Sequence, residues 1–190
     1  MIYKLDFRKS LGQKFLIDDS IVDNIANAID YKENNMIIEI GPGSGNLTKK
    51  LLKKADFVLL YEIDTRLKKI LSRELLEFNN YDIIWDDFLY RDVKEDLKKY
   101  NYKNIYIVAN LPYYITTPIV SKFVMETIPA NEIVIMIQKE VAERLSAPVG
   151  TKEYGQITVL LNYHFNIEKI IDVDRKAFYP TPNVDSAVIK

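Results

Sequence analysis

The chain has 190 residues, a formal net charge of −1 and no cysteine. A chain of this length can bury one full hydrophobic core without disulfide cross-links. The lack of cysteine excludes disulfides, thiolate metal sites and a thiol nucleophile, and the near-neutral charge differs from the strongly basic balance of many nucleic-acid-binding proteins.

The first segment, residues 1–16, is a basic arm in which four cations outweigh one acid: Lys4, Arg8, Lys9 and Lys14 against Asp6. Its Arg8 and Lys9 are candidate contacts to RNA phosphates, and a solvated tail is the alternative. Neither the arm nor any later stretch has the uninterrupted apolar run of a signal peptide or a membrane-spanning helix. We therefore expect a soluble, cytoplasmic protein that binds no membrane.

Apolar strand patterns and amphipathic helix patterns alternate along most of the chain. Strands are predicted at 36–40, 57–64, 82–89, 105–110 and 132–138. Helical spacing precedes the first of these strands and follows most of the others. Parallel strands covered by helices on both faces form the doubly wound architecture. The sequence therefore predicts one α/β domain over residues 1–190, with a mostly parallel, Rossmann-like sheet.

Two helix starts can be read from capping residues. Asp18, Asp19 or Ser20 is predicted to cap the first helix. Thr117, which precedes Pro118, is predicted to cap a helix that ends near residue 126.

The C-terminal part of the chain is less regular. Residues 154–165 fit a helix or a strand, and 169–174 and 186–190 fit strands. Because the last pattern stops at the final residue, it indicates a truncated chain. The single histidine, His164, is far in sequence from the candidate site residues and is interpreted as structural.

Three glycines at spacing two follow the first predicted strand: Gly41, Gly43 and Gly45. Glycine permits positive φ and lets a ligand lie against the backbone, and doubly wound sheets bind ligands at this edge. Glu62, 21 residues after Gly41, is placed to accept hydrogen bonds from ribose hydroxyls. The spacing differs from the G-x-G-x-x-G of dinucleotide sites, but these features alone leave both NAD and S-adenosyl-L-methionine open.

The third predicted strand ends in Asp86-Asp87-Phe88. An aspartate at this position can accept a hydrogen bond from an adenine amino group, and the ring of Phe88 offers a stacking face. Paired aspartates are also common strand terminators, so an ordinary structural role is the alternative.

The fourth predicted strand ends in Asn110-Leu111-Pro112-Tyr113. The Asn110 side-chain oxygen and the Leu111 carbonyl, held stiff by Pro112, are two acceptors beside the flat ring of Tyr113. Such a set fits the exocyclic amine of a planar base. Hydrogen bonds from its two N–H groups to these acceptors favour a tetrahedral nitrogen whose lone pair can attack a methyl group. The reaction therefore requires a correctly placed amine and fixed acceptor dipoles rather than a metal.

This element resembles the Asn-Leu-Pro-Tyr motif of the rRNA adenine N6,N6-dimethyltransferases. Five further blocks, in the same order, resemble that family: KSLGQKFL at 9–16, EIGPGSGNLT at 39–48, YEID at 61–64, DDFL at 86–89 and FYPTPNVDS at 178–186. The resemblance implies a class I S-adenosyl-L-methionine-dependent methyltransferase.

The resemblance also implies roles for single residues. Cofactor contacts are expected at Lys14, Leu16, Gly41, Glu62, Asp87 and Asn110. The amine and its base are expected to be held by Asn110, Leu111, Tyr113 and Phe178. The family commonly has Asn or His at the position of Lys14, so a contact through the Lys14 backbone is the one expected to persist.

Two features, QKEVAERL at 138–145 and GTKEYG at 150–155, resemble the bacterial small-subunit enzymes of the family. They imply dimethylation of two adjacent adenosines near the 3′ end of 16S rRNA in a pre-assembled 30S particle, by a monomer. The family adds a small helical domain after the position where this chain stops, and without it RNA binding is expected to be weak and salt-dependent. The alternatives are an Erm-type enzyme acting on 23S rRNA, a non-catalytic RNA-binding assembly factor and, less favoured by the glycine spacing, an NAD-dependent dehydrogenase.

Overall fold

The computed structural model describes residues 14–190, whose strands and helices alternate for most of their length. The strands are β1 Phe15–Leu16, β2 Asn35–Ile40, β3 Phe57–Tyr61, β4 Tyr81–Ile84, β5 Asn104–Asn110, β6 Glu132–Gln138, β7 Lys169–Val173, β8 Phe178–Tyr179 and β9 Ser186–Ile189. The α-helices are α1 Asp19–Asn27, α2 Asn46–Leu52, α3 Lys68–Glu74, α4 Val93–Leu97, α5 Thr116–Met125, α6 Lys139–Leu145 and α7 Gln156–His164.

Seven of the strands in this described part form one sheet in the order β4-β3-β2-β5-β6-β9-β7. Strands β2 to β6 are mutually parallel, whereas β9 runs antiparallel to both β6 and β7. The prediction of a mostly parallel, doubly wound sheet is therefore confirmed. The carboxyl ends of the parallel strands β2, β3, β4 and β5 therefore lie at the same edge of the sheet.

Hydrophobic residues cover both faces of this sheet. On β5, Tyr106 and Val108 belong to the core that contains α1, α2 and α3, while Ile107 and Ala109 belong to the core that contains α4 to α7. The alternation follows from the two-residue period of a strand and explains why the strands read as continuous apolar runs. Across residues 14–190, every helix is too short or too polar to cross a membrane.

Most predicted elements are found, with some corrections. Asp18 caps α1 by accepting hydrogen bonds from the N–H groups of Ser20 and Ile21. Thr117 is not an N-cap: a 3-10 turn runs directly into α5, whose N-cap is Ile115. The third predicted strand ends early, at Ile84 rather than residue 89, because acidic turn residues follow it.

Three further predictions concern the C-terminal part of the chain. The ambiguous stretch 154–165 contains helix α7, and the patterns at 169–174 and 186–190 are strands β7 and β9, as predicted. Helix α4 and the short β1–β8 pair were not predicted, because each is too short to show a clear hydrophobic period.

Gly45 determines how the helix after the glycine loop packs. It is the N-cap of α2 with φ of 83°. A Cβ at Gly45 would lie 3.2 Å from the Leu71 Cδ2 atom of α3. The position therefore requires glycine both for its backbone conformation and for the close contact between the two helices.

Replacing Gly45 with alanine tests these two requirements separately. Gly45→Ala should lower the free energy of unfolding by about 1–2 kcal/mol for the left-handed backbone and by about 1–3 kcal/mol more for overpacking against Leu71. Gly150→Ala is the matched control, since Gly150 has φ of +87° and nothing within 4 Å of its added Cβ. Urea unfolding of both variants measures the difference, and equal losses would contradict the packing role.

Candidate active site

A cleft lies at the carboxyl edge of β2, β3, β4 and β5. It encloses about 1150 Å³ of empty space, counting its open mouth. Residues from distant parts of the sequence line it, and they include Lys14, Leu16, Gly41, Gly43, Glu62, Asp87, Phe88, Asn110, Leu111, Pro112, Tyr113 and Phe178. The structure thus brings together in one cleft nearly all the site residues predicted from sequence.

Gly45 is the one predicted site residue within residues 14–190 that is not part of this lining. Gly45 lies behind the loop, at the N-cap of α2. Arg8 and Lys9 lie outside the described residues, so their predicted RNA contacts remain predictions. His164, interpreted as structural, ends α7 and lines a different cavity.

The glycine loop exposes bare backbone to the cleft. Gly41 and Gly43 have φ of 72° and 56°. A Cβ at Gly41 would meet no atom within 4 Å, whereas one at Gly43 would lie 3.3 Å from the Phe15 ring. The space beside Gly41 is therefore open to a ligand, and the space beside Gly43 is occupied by the N-terminal segment.

Glu62, directly after β3, holds this loop in place. One of its carboxylate oxygens accepts a hydrogen bond from the Gly43 N–H at 3.2 Å, and the other accepts one from the Asp64 N–H at 2.8 Å. Burial raises the pKa of Glu62, and these two hydrogen bonds oppose the rise. Each oxygen retains a lone pair that can accept a further hydrogen bond from a ligand in the cleft.

Glu39 is a second buried acid in the cleft, and the sequence interpretation gave it no role. It is 1% exposed, and its Oε2 has no hydrogen-bond partner within the described part of the chain. Burial raises its pKa to about 8, and the nearby Glu62 adds to this rise. The available signal was an acid inside the otherwise apolar strand MIIEI, because a buried acid without a partner is costly unless a ligand pairs with it.

The turn after β4 places two aspartates in different environments. Asp87 accepts a hydrogen bond from the Leu89 N–H at 2.9 Å, and Asp86 is paired with Arg91 at 3.5 Å. The ring of Phe88 is 3% exposed and packs edge-on against Tyr61 with centroids 5.1 Å apart. Most of the Phe88 surface therefore belongs to the hydrophobic core rather than to an open stacking face.

Asn110, the last residue of β5, faces the N-terminal segment across the cleft. Its Nδ2 donates a hydrogen bond to the backbone carbonyl of Lys14 at 3.4 Å, which leaves Oδ1 available as an acceptor. The following Leu111 is anchored by its N–H, which donates to the Met136 carbonyl at 3.0 Å. Pro112 then fixes φ at −58°, so the corner that presents these acceptors is rigid.

The aromatic side chains beside this corner differ in accessibility. The Tyr113 hydroxyl shares a 2.8 Å hydrogen bond with the hydroxyl of Ser186, and burial raises the pKa of Tyr113. Phe178 lines the cleft but is only 2% exposed. Its strand, β8, pairs with β1, so that Leu16 lies opposite Phe178. Phe178 therefore lies on the side of the cleft that is next to the N-terminal segment.

Comparisons with known proteins identify relatives over nearly the whole chain. The family model described as "Ribosomal RNA adenine dimethylase" matches residues 4–190. A protein named Ribosomal RNA small subunit methyltransferase A from Staphylococcus haemolyticus is 44% identical over 190 residues, which is 99% of this chain and 64% of the relative. The chain thus spans slightly less than two thirds of the length of this relative.

Two solved structures share the fold with substantial sequence identity. A dimethyladenosine transferase from Plasmodium falciparum superposes with a TM-score of 0.81 and 31% identity, covering 92% of this chain and 61% of that one. The 23S rRNA methyltransferase ErmE superposes with a TM-score of 0.79 and 31% identity, covering 92% of this chain and 68% of that one. These likenesses confirm the predicted Rossmann-like fold of class I methyltransferases.

The buried Glu39 gives the stability of the protein a specific pH dependence. Its pKa rises from 4.5 to about 8 on folding, so the folded state retains a proton that the unfolded chain releases between these values. The contribution of Glu39 is therefore fully present below about pH 4.5 and decreases as the pH rises towards 8, by at most about 1.4 kcal/mol per pH unit.

Urea unfolding between pH 5.5 and 8 tests this contribution. Glu39→Gln should make the free energy of unfolding vary less steeply with pH than in the unaltered protein, because glutamine does not titrate. Glu77→Gln, at an exposed position after α3, is the control and should keep the slope of the unaltered protein. Parallel pH profiles for all three proteins would contradict a protonated Glu39.

Proposed function

The chain belongs to the ribosomal RNA adenine dimethylase family, and from this we propose that it forms the catalytic part of a small-subunit rRNA methyltransferase. The proposed reaction transfers methyl groups from S-adenosyl-L-methionine to N6 of two adjacent adenosines near the 3′ end of 16S rRNA. The observation that carries the proposal is the meeting of two elements in one cleft. The glycine loop with Glu62 forms one wall, and the Asn110–Tyr113 corner forms another.

The residues in the cleft fit this cofactor. Gly41 leaves space beside its backbone, and Glu39 Oε2, which has no hydrogen-bond partner among residues 14–190, provides a buried polar atom for a polar group of the ligand. The residues proposed to hold the cofactor are Lys14 and Leu16 through their backbone, Gly41, Gly43, Glu62, Asp87, Phe88 and Asn110. When bound, S-adenosyl-L-methionine supplies a methyl group on a sulfonium, whose loss leaves a neutral sulfide.

The chain's own groups would orient the target amine. The adenine amino nitrogen is a weak nucleophile because its lone pair is delocalised into the ring. In the first transfer, the Asn110 Oδ1 and the Leu111 carbonyl would accept hydrogen bonds from its two N–H groups and favour a tetrahedral nitrogen, which would release one proton to solvent as the N–C bond forms. In the second transfer, one N–H remains, and its proton would leave in the same way. Because Pro112 and the Lys14 carbonyl fix these acceptors before the base arrives, little reorganisation is needed at the moment of transfer.

The base itself would be held between aromatic side chains. Tyr113 lies next to the two acceptors, and Phe178 lines the same cleft. Since Phe178 is 2% exposed, stacking on it requires that the residues packed around its ring move when the base enters. Stacking on an aromatic ring contributes about 1–3 kcal/mol per base and suits a base extruded from its helix.

The proposed partner is small-subunit rRNA within a pre-assembled 30S particle in the cytoplasm, engaged by a monomer. The 44% identity to proteins named small subunit methyltransferase A supports this choice of subunit. The second candidate is an Erm-type enzyme acting on 23S rRNA, and it is favoured by the likeness to ErmE. The two candidates share their chemistry and differ only in the RNA.

Replacing Asn110 tests the proposed chemistry. Asn110→Ala should reduce methyl transfer by about 10²–10³-fold, as expected for the loss of one preset polar contact, while cofactor affinity falls only modestly. Single-turnover methylation and calorimetric titration with S-adenosylhomocysteine measure the two effects separately.

Asn46→Ala is the matched control for this variant. Asn46 also donates from Nδ2 to a backbone carbonyl of the N-terminal segment, that of Leu16 at 3.2 Å, but it lies outside the 110–113 corner. Asn46 also lines the cleft, so this variant should retain most of the transfer rate when the cofactor is saturating. If both variants lose the rate equally, Asn110 acts only by tethering the N-terminal segment, and the proposed amine contact is wrong.

Separate assays on the two ribosomal subunits test the proposed substrate. With radiolabelled S-adenosyl-L-methionine, the label should enter small subunits that lack the modification, and mass spectrometry should identify N6,N6-dimethyladenosine. Labelling of large subunits alone would favour the Erm-type candidate. Cofactor binding with no labelling of either subunit would favour a non-catalytic assembly factor.

A further inference from the structure

Lys122 is a buried cation on α5, outside the cleft lining. Its side chain is 6% exposed. The ammonium donates hydrogen bonds to the backbone carbonyls of Leu89 at 3.3 Å and Arg91 at 2.9 Å, and to the Glu126 carboxylate one helical turn away. Its three N–H groups therefore meet three acceptors, two of which belong to the turn after β4.

The same ammonium also contacts an aromatic ring of that turn. Lys122 Nζ lies 5.8 Å from the centroid of the Phe88 ring, within the range of a cation–π interaction. The neighbouring Phe123 packs edge-on against the same ring, with its centroid 6.2 Å from that of Phe88. Consecutive residues of α5 therefore hold both the backbone and the side chain of the turn.

The turn held in this way carries the acid proposed to bind adenine. Asp87 is the N-cap of the 3-10 turn Phe88–Tyr90, and its carboxylate accepts a hydrogen bond from the Leu89 N–H. Lys122 binds the Leu89 carbonyl within the same turn. A shift of this turn would therefore displace the Asp87 carboxylate relative to the cleft.

Helix α5 also starts at the other functional element of the cleft. The 3-10 turn Tyr113–Ile115 leads from the Asn110–Tyr113 corner directly into α5. Lys122 is thus a direct polar link between the helix that follows this corner and the turn that carries Asp87. Stability alone is a weak reason for such a group, because burying the Lys122 ammonium costs free energy that its hydrogen bonds and ion pair must offset.

We infer that Lys122 is a positioning residue for the adenine end of the cofactor site. By fixing the Leu89 and Arg91 carbonyls to α5, it sets the distance between the Asp87 carboxylate and the wall formed by the 110–113 corner. This inference rests on the proposed function, because it assigns adenine to the Asp87 side of the cleft. Lys122 itself touches neither cofactor nor substrate.

The test compares ligand binding by the full chain and three variants. Lys122→Met removes all three donors but keeps a long unbranched side chain, and Lys122→Arg retains the charge and several donors. Lys169→Met is the charge-matched control, since Lys169 lies on β7 at the opposite edge of the sheet from β4 and pairs with Asp172. The ligands are adenosine and S-adenosylhomocysteine, titrated by calorimetry.

The expected result is specific to adenine-containing ligands. Lys122→Met should raise Kd for adenosine and for S-adenosylhomocysteine by a similar factor of about tenfold, while kcat at saturating cofactor stays within about threefold. Lys122→Arg should restore Kd to within about threefold, and Lys169→Met should leave it unchanged. Hydrogen exchange of the 88–91 amides should accelerate in Lys122→Met alone.

Other outcomes would overturn the inference. An unchanged Kd in folded Lys122→Met, or a loss of kcat with Kd unchanged, excludes a positioning role at the adenine end. If Lys122→Met does not fold, Glu126→Gln is the deciding variant, because it removes only the counter-charge of the ammonium. A rise in Kd of about twofold to threefold with faster hydrogen exchange at 88–91 supports the inference. No change in Kd or in exchange overturns it. If the unaltered chain binds neither ligand, the proposed function itself has failed.

Discussion

The parallel register of four strands is the constraint on which the whole site depends. Ile40 pairs with Tyr61 and with Ala109, and Tyr61 pairs with Ile84. The residues one step beyond these aligned positions include Gly41, Glu62 and Asn110, so the glycine loop, the acid that holds it and the Asn110–Tyr113 corner lie side by side. A shift of one residue in any strand would turn its side chains to the opposite face and separate these groups.

Around this edge, the protein buries three titratable side chains whose burial does not by itself favour stability. Glu39, Glu62 and Lys122 are each less than 9% exposed, and burial of a charged or polar group costs free energy unless a partner satisfies it. Glu62 and Lys122 are satisfied by backbone groups of the loops that they hold. Glu39 Oε2 has no hydrogen-bond partner among residues 14–190, and burial raises the pKa of this carboxyl. The buried titratable groups at this edge therefore differ: Glu62 and Lys122 fix loops, and Glu39 holds none of these loops.

The sequence alone determined the features that depend on neighbouring residues. Strand β6 was predicted at 132–138 and has those bounds, because the apolar run and the residues that flank it lie within a short window. The glycine loop and the Asn110–Tyr113 corner were identified for the same reason. Each combines a strand end with glycine or proline, whose effect on backbone freedom is a local property. Because the strands are parallel, the glycine loop and the corner then lie at the same edge of the sheet.

Only the tertiary structure decided which distant residues meet and what each exposes. The pairing of Leu16 with Phe178, the tether from Asn110 to the Lys14 carbonyl, and the hold of Lys122 on the turn at 88–91 join residues that no local pattern connects. Burial changed the interpretation of Phe88, whose ring packs mainly in the core instead of offering an open stacking face. Burial also gave Glu39, which had no predicted role, a desolvated carboxyl group. Desolvation and long-range contact depend on the packing of the whole sheet and its helices, and for this reason the sequence named the residues of the site but not their surroundings.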